Sequence, residues 1–246
     1  MAAGASGAHR PGARPFIVAI DGPAGAGKST TARRVAARLG FAMVDTGAIY
    51  RAVALAASRA GVAFDDDARL GALLPALRIA FEAPPPEDPS AGQRVMLDEE
   101  DVSVVIRTPP VSLGASAVSA RPVVRAALLD LQRRLGREAP GGAVLEGRDI
   151  GTVVFPDADV KFFLTAAPEV RARRRHAELA AKGSPAPYEE VLADQLKRDR
   201  DDASRAVAPL RPAVDALVVD TSALEADAVV ERLVELVRGR AAVPPA

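Results

Sequence analysis

The chain contains no cysteine. That excludes disulfide bonds and Cys-ligated zinc, and it suits a reducing compartment. Neither sign of charge is in excess: 32 Lys and Arg stand against 32 Asp and Glu, a formal net charge of +0. No global field therefore advertises nucleic acid or an anionic membrane as a partner. No apolar run approaches the ~20 residues that span a bilayer. Residues 1–15 are rich in Gly, Ala and Pro and lack the apolar stretch of a secretory signal, so they are expected to form a disordered tail. Lysine is scarce, at positions 28, 161, 182 and 197 only, and arginine supplies the other basic side chains. These absences lead us to expect a cytoplasmic protein that binds neither nucleic acid nor membrane.

What is present begins with apolar content, 49% of 246 residues, enough for a core and for one or two domains. The most informative stretch is Ile20-Asp21-Gly22-Pro23-Ala24-Gly25-Ala26-Gly27-Lys28-Ser29-Thr30. Gly, four residues, then Gly-Lys-Ser is the phosphate-binding loop pattern. Its glycines permit backbone angles that wrap a phosphate, its N–H groups form an anion nest, and the following helix adds the positive end of its dipole. Lys28 would reach the β- and γ-phosphates, and the Ser29 hydroxyl would help hold Mg²⁺. Phe16–Ile20 reads as a buried strand before the loop and Thr30–Leu39 as a helix after it.

Further strands are expected at Phe41–Val44, Ala143–Leu145, Asp159–Thr165 and Ala216–Asp220, with crossover helices between them. That pattern predicts an α/β fold: a five-stranded parallel sheet flanked by helices. In such sheets ligands sit beyond the carboxyl ends of the strands. Thr46 and Arg51 follow one such end, although Arg51 could equally be a solvated helix arginine. Arg148 and Asp149 follow another, between Gly147 and Gly151, and read as a substrate-contacting pair rather than a surface ion pair. Residues 62–120 break the rhythm and predict an inserted subdomain. Its short antiparallel strands are Leu77–Phe81 and Arg94–Leu97, with a third at Val102–Ile106, and its Pro84–Gly92 loop is expected to be mobile. Val124, Leu128, Leu131 and Leu135 make the helix after Pro122 amphipathic, with Arg125 beside the apolar stripe. Residues 170–205 predict a charged helical hairpin. It is either a solvated face or a lid whose arginines close on a transferring phosphoryl group. His176 receives no role.

These parts suggest phosphoryl transfer, in which positioning and charge neutralisation supply most of the rate. A switch GTPase would carry an Asn-Lys-x-Asp segment, and the sequence has none. A kinase for another small acceptor and a nucleotide-binding module without catalysis both remain open from the residues alone.

Four stretches together resemble the bacterial-type cytidylate kinase family, over about Ile17 to Val237. They are Ile20–Lys28, Asp45-Thr46-Gly47-Ala48-Ile49-Tyr50-Arg51, Gly147–Ala158 and Arg205-Ala206-Val207-Ala208-Pro209-Leu210. The resemblance implies transfer from ATP to CMP or dCMP, with Mg²⁺ expected from the phosphate loop; no exposed apolar heptad is evident, so a monomer is expected. It also implies a layout of tail (1–15), core (16–61, 121–169 and 206–240), monophosphate-binding insert (62–120), lid (170–205) and tail (241–246). ATP would lie on Gly22, Pro23, Ala24, Gly25, Ala26, Gly27, Lys28, Ser29 and Thr30. Thr46, Arg51 and Arg148 would face the CMP phosphate. Ser116, Arg125 and Asp149 would hydrogen-bond cytosine, and Asp202 the sugar. Lys28, Arg148, Arg198 and Arg205 would act catalytically on the phosphates. Glu146 stands where the family often has Asp, and Asp21 and Asp149 are conceivable carboxylates around the metal's waters.

Overall fold

The computed structural model describes residues 14–82, 93–181 and 183–241. Of the expected tails, 1–15 and 241–246, residues 1–13 and 242–246 lie outside the described residues, as do the expected Pro84–Gly92 loop with residue 83 and Lys182; Ala241 is the last residue of a helix.

Five parallel strands form the main sheet: β1 (Phe16–Asp21), β2 (Ala42–Asp45), β6 (Gly142–Gly147), β7 (Val160–Thr165) and β8 (Leu217–Asp220), in spatial order β2-β6-β1-β7-β8. Apart from the exposed edge strand β8, the strands are apolar and largely buried in both alternating phases, as a sheet covered on both faces requires. Val18 and Ile20 join Phe162 and Leu164 on one face, against Val35 of α1 (Lys28–Leu39) and Leu233 of α8 (Ala226–Ala241). Ile17, Ala19 and Leu145 pack on the other face with Ile150, Val154 and Phe155. The central strand β1 pairs with both β6 and β7. Consequently the loop after β1 opens where its neighbours also end, the crevice in which open α/β sheets bind ligands.

A third core surrounds α2 (Thr46–Arg59), whose Ile49 and Val53 pack with Leu70, Ile106, Val118 and Val124. Leu70 belongs to α3 (Asp67–Leu73), capped by the Asp66 carboxylate, which accepts from Arg69 N at 3.0 Å. Val118 and Val124 come from α4 (Pro109–Ser119) and α5 (Pro122–Arg137). Beside them lies a small antiparallel sheet of β3 (Ile79–Glu82), β4 (Arg94–Leu97) and β5 (Glu100–Asp101). The third strand is thus earlier than the sequence pattern predicts, and Val105–Arg107, overlapping the end of the expected strand, is a 3₁₀ turn. Asp98 and Glu99, at φ 50° and 73°, form a two-residue turn that pairs Leu97 with Glu100. The Asp101 carboxylate then accepts from Ser103 N at 2.9 Å and turns the chain out of the sheet. Asp98 tolerates positive φ, but Glu99 occupies the place where glycine would mark such a turn, so the pattern alone set the strand too late.

The last feature is a helical hairpin, α6 (Pro168–Ala181) and α7 (Tyr188–Ala203).

Candidate active site

The loop after β1 owes its path to glycine at two positions where nothing else fits. A Cβ on Gly22, at φ +144°, would lie 2.0 Å from the Leu164 carbonyl oxygen, and one on Gly25, at φ +76°, 3.0 Å from Arg171 Cβ. Gly27 precedes α1 in a left-handed conformation without a side-chain cap, and the first turn of α1 carries no acidic residue. The positive end of this helix is therefore left to an external anion. Lys28 is buried at 6% exposure and donates to the Pro23 carbonyl at 2.8 Å. Burial, and then the neighbouring Arg148 guanidinium, push its ammonium down to about 7. Ser29 and Thr30 open to solvent at the helix start.

Asp21, the last residue of β1, accepts from the backbone N–H of Ile150 at 2.8 Å and of Gly151 at 2.7 Å. It thereby fastens the loop after β6 to the phosphate loop. Burial pushes its carboxyl up to about 6 despite those two bonds. Both oxygens serve the backbone, which gives Asp21 a tying role between the two loops. Asp149 likewise faces Arg125, not Ser29.

Beyond β6 the charges form a ring. Arg125, 9% exposed on α5, pairs with the buried Asp149 and donates to the Ser119 carbonyl at 3.1 Å. The Arg125 guanidinium lies 5.7 Å from the centre of the Tyr50 ring. Arg205 donates to the Ser119 hydroxyl at 3.2 Å and pairs with Asp202. Asp202 also accepts from Arg148 Nε at 2.9 Å. Arg148 and Asp149 are therefore not partners of each other: adjacent in sequence, they diverge to Asp202 and Arg125. Sequence reasoning missed Ser119. Ser116, one turn earlier, makes its recorded contact through its backbone, accepting from the Ser119 hydroxyl at 3.0 Å.

Thr46 is buried and donates to the Glu146 carbonyl at 2.6 Å. Arg51 lies half-buried, 3.6 Å from Asp45, the residue that caps α2. Glu146 was also missed as a site residue. Its carboxylate is buried beside Ser29 and Lys28, one oxygen lacks a partner among the described residues, and burial followed by Asp45 raises its pKa. Its place at the end of a strand next to β1 was the available signal. Arg198 makes no hydrogen bond among the described residues, and burial followed by Arg175 lowers its pKa. Of the hairpin arginines expected in a lid, Arg171 is held by the Ala24 carbonyl and Asp199, and Arg174 by Thr221. Both are committed to the scaffold.

Comparison with known proteins decides the assignment. Residues 18–239 match the profile of the family described as cytidylate kinase. The chain belongs to the cytidylate kinase family. The cytidylate kinase of Geobacter sulfurreducens is 52% identical over 95% of this chain and 97% of its own length. That of Geobacter sp. strain M21 is 53% identical over 92% and 94%, and that of Pseudomonas aeruginosa 49% over 91% and 95%. Among the described residues no helix is long and apolar enough to cross a membrane.

Proposed function

We propose that the chain transfers the γ-phosphoryl group of ATP to CMP or dCMP, releasing ADP and CDP or dCDP, as a cytoplasmic monomer. The observation that carries this reading is the buried Asp149–Arg125 pair, held one loop away from the phosphate loop by Asp21. A carboxylate accepts from the 4-amino group of cytosine, and a guanidinium donates to N3 and O2. Uracil would turn a carbonyl toward that carboxylate and leave it unpaired, which disfavours it.

In this reading residues 22–30 bind the ATP phosphates, with Lys28 following charge as it moves to the β–γ bridging oxygen. Arg148, Arg51 and Thr46 hold the CMP phosphate. One of its oxygens attacks the γ-phosphorus in line as the bond to the ADP oxygen breaks. The attacking oxygen is already anionic, so positioning and charge neutralisation supply most of the rate. Arg198 and Arg205 bridge the two substrates, Asp202 takes the sugar hydroxyls, and Ser116 completes the cytosine contacts. The fit to Mg²⁺ rests on oxygen donors: the exposed Ser29 hydroxyl and the unpartnered oxygen of Glu146 beside it, a hard-ligand set that suits this ion. Bound there, Mg²⁺ would offset charge on the β- and γ-phosphates. The division into core, insert (62–120) and lid (170–205) belongs to the same proposal. ADP formation with CMP, dCMP, UMP and AMP in parallel tests it: the cytidine nucleotides should be preferred, and equal rates with UMP would refute the cytosine assignment.

A further inference from the structure

Both helices of the hairpin grip the phosphate loop from outside. Arg171 Nη1 donates to the Ala24 carbonyl oxygen at 3.2 Å, and Gln195 Nε2 donates to the same oxygen. The two residues are 3% and 4% exposed, deep burial for such polar side chains. Arg171 is itself fixed, since its Nε donates to the Ala166 carbonyl at 2.8 Å and its fork meets both oxygens of Asp199 at 3.0 and 2.6 Å. A Cβ on Gly25 would meet Gln195 Nε2 at 3.1 Å, so the contact is close.

The geometry of the peptide unit gives this contact a consequence. The Ala24–Gly25 bond is trans, and in a planar trans peptide the carbonyl and the next N–H point in opposite directions. Drawing the Ala24 carbonyl out toward the hairpin turns the Gly25 N–H the other way, toward the inside of the loop. Glycine at position 25 makes the opposite orientation of this peptide accessible at little steric cost. The freedom that lets the loop bend would also let it lose a phosphate donor. We propose that Gln195 and Arg171 are positioning residues for the donor phosphates: they lock the Ala24–Gly25 peptide and so preorganise the loop as an anion site. The inference rests on the reading of residues 22–30 as the ATP phosphate site.

Such a lock acts on the phosphate chain and not on the base. The test is binding of inorganic tripolyphosphate, with Mg²⁺, and of ATP to Gln195→Leu and Gln195→Asn, beside Lys28→Ala. The Leu variant removes the donor at similar volume, and the Asn variant keeps the amide but shortens its reach. Affinities for tripolyphosphate and ATP should fall together by about tenfold, the size expected for losing a preorganising hydrogen bond. KM for ATP should rise in step, KM for CMP should stay within about twofold, and the Gly25 amide resonance should move before any ligand is added. Where the Leu variant does not fold, the Asn variant decides. Unchanged tripolyphosphate binding in the Gln195 variants, with binding lost in Lys28→Ala, overturns the lock and leaves the loop assignment standing. Unchanged binding in all three overturns both. An equal rise in KM for ATP and CMP marks general damage and also overturns the lock.

Discussion

The two halves of the proposed site are built from different materials. The proposed donor side is one contiguous loop, Gly22 to Thr30, that would work chiefly through backbone N–H groups and a helix end. Its glycines are required by contacts such as Gly22 against Leu164. The acceptor side is a ring of side chains from separate segments: Ser119, Arg125, Arg148, Asp149, Asp202 and Arg205, each paired with another member. A backbone cradle reads a repeating feature such as a phosphate chain. In the proposed reading, a ring of oriented charges reads the edge of one base. Selectivity for the acceptor should therefore be lost by single side-chain changes that leave donor binding intact.

The sharpest test of the donor half is Lys28→Ala, which should lower kcat/KM by about 10³-fold or more, roughly 4 kcal/mol, as expected for removing a charge aimed at the transition state. A coupled assay of ADP release measures it, and a loss of only a few-fold would break the division between the halves. On the acceptor side, Asp149→Ala should cost about 2–4 kcal/mol in kcat/KM for CMP, because it also strands the buried Arg125 charge. KM for ATP should hold steady, and a comparable rise there would show that the halves are not separable.

The Asp21 tie between the halves carries a pH dependence of its own. The unfolded Asp21 carboxyl has the ordinary value of 3.8 and the folded one a value of about 6. Between those pH values the native state holds the extra proton, so the contribution of Asp21 to stability falls as pH rises through that window. The cost is complete above about pH 6 and amounts to about 2–3 kcal/mol. Asp21→Asn lacks this titration. Thermal melting from pH 4 to 7 should show the wild-type advantage over Asp21→Asn shrinking up to about pH 6 and then levelling. A pH-independent gap would mean that burial does not govern this carboxyl.

The smallest expected effect separates two serines. Ser119→Ala removes the hydroxyl that Arg205 reaches, and should raise KM for CMP about fivefold, near 1 kcal/mol. Ser116→Ala tests the cytosine contact implied by family resemblance. A change in CMP-against-UMP preference in that variant, with none in Ser119→Ala, would move the base contact to Ser116 and leave Ser119 as a support for Arg205.

The same contrast explains what was legible in the sequence. The phosphate loop and the parallel strands announce themselves through short-range patterns, so Lys28 and the sheet needed no structure. Asp149 stood out by its place beyond a strand end, but its joint role with Arg125 was reached through resemblance, since nothing local says that residues 24 positions apart meet. Ser119 and Glu146 were missed because their significance is positional: one lies at the end of a helix beside Arg205, the other at the end of a strand beside Ser29. The shifted third strand of the small sheet was missed for a different reason. Glu99 follows Asp98 into positive φ where glycine would usually mark the turn.

The Asp21 carboxylate also bears on how modular such an enzyme can be. A designer wishing to change the acceptor would transplant the segment after Glu146 from another phosphate-loop kinase. The graft would arrive with its own backbone N–H groups, and their spacing must match the two oxygens that wait at the end of β1. Recipient strand and incoming loop therefore form one interchangeable unit joined at residue 21, not two. Libraries that vary the loop while keeping residues 20–22 and 150–151 native should yield folded, active chimeras far more often than those that cut between them.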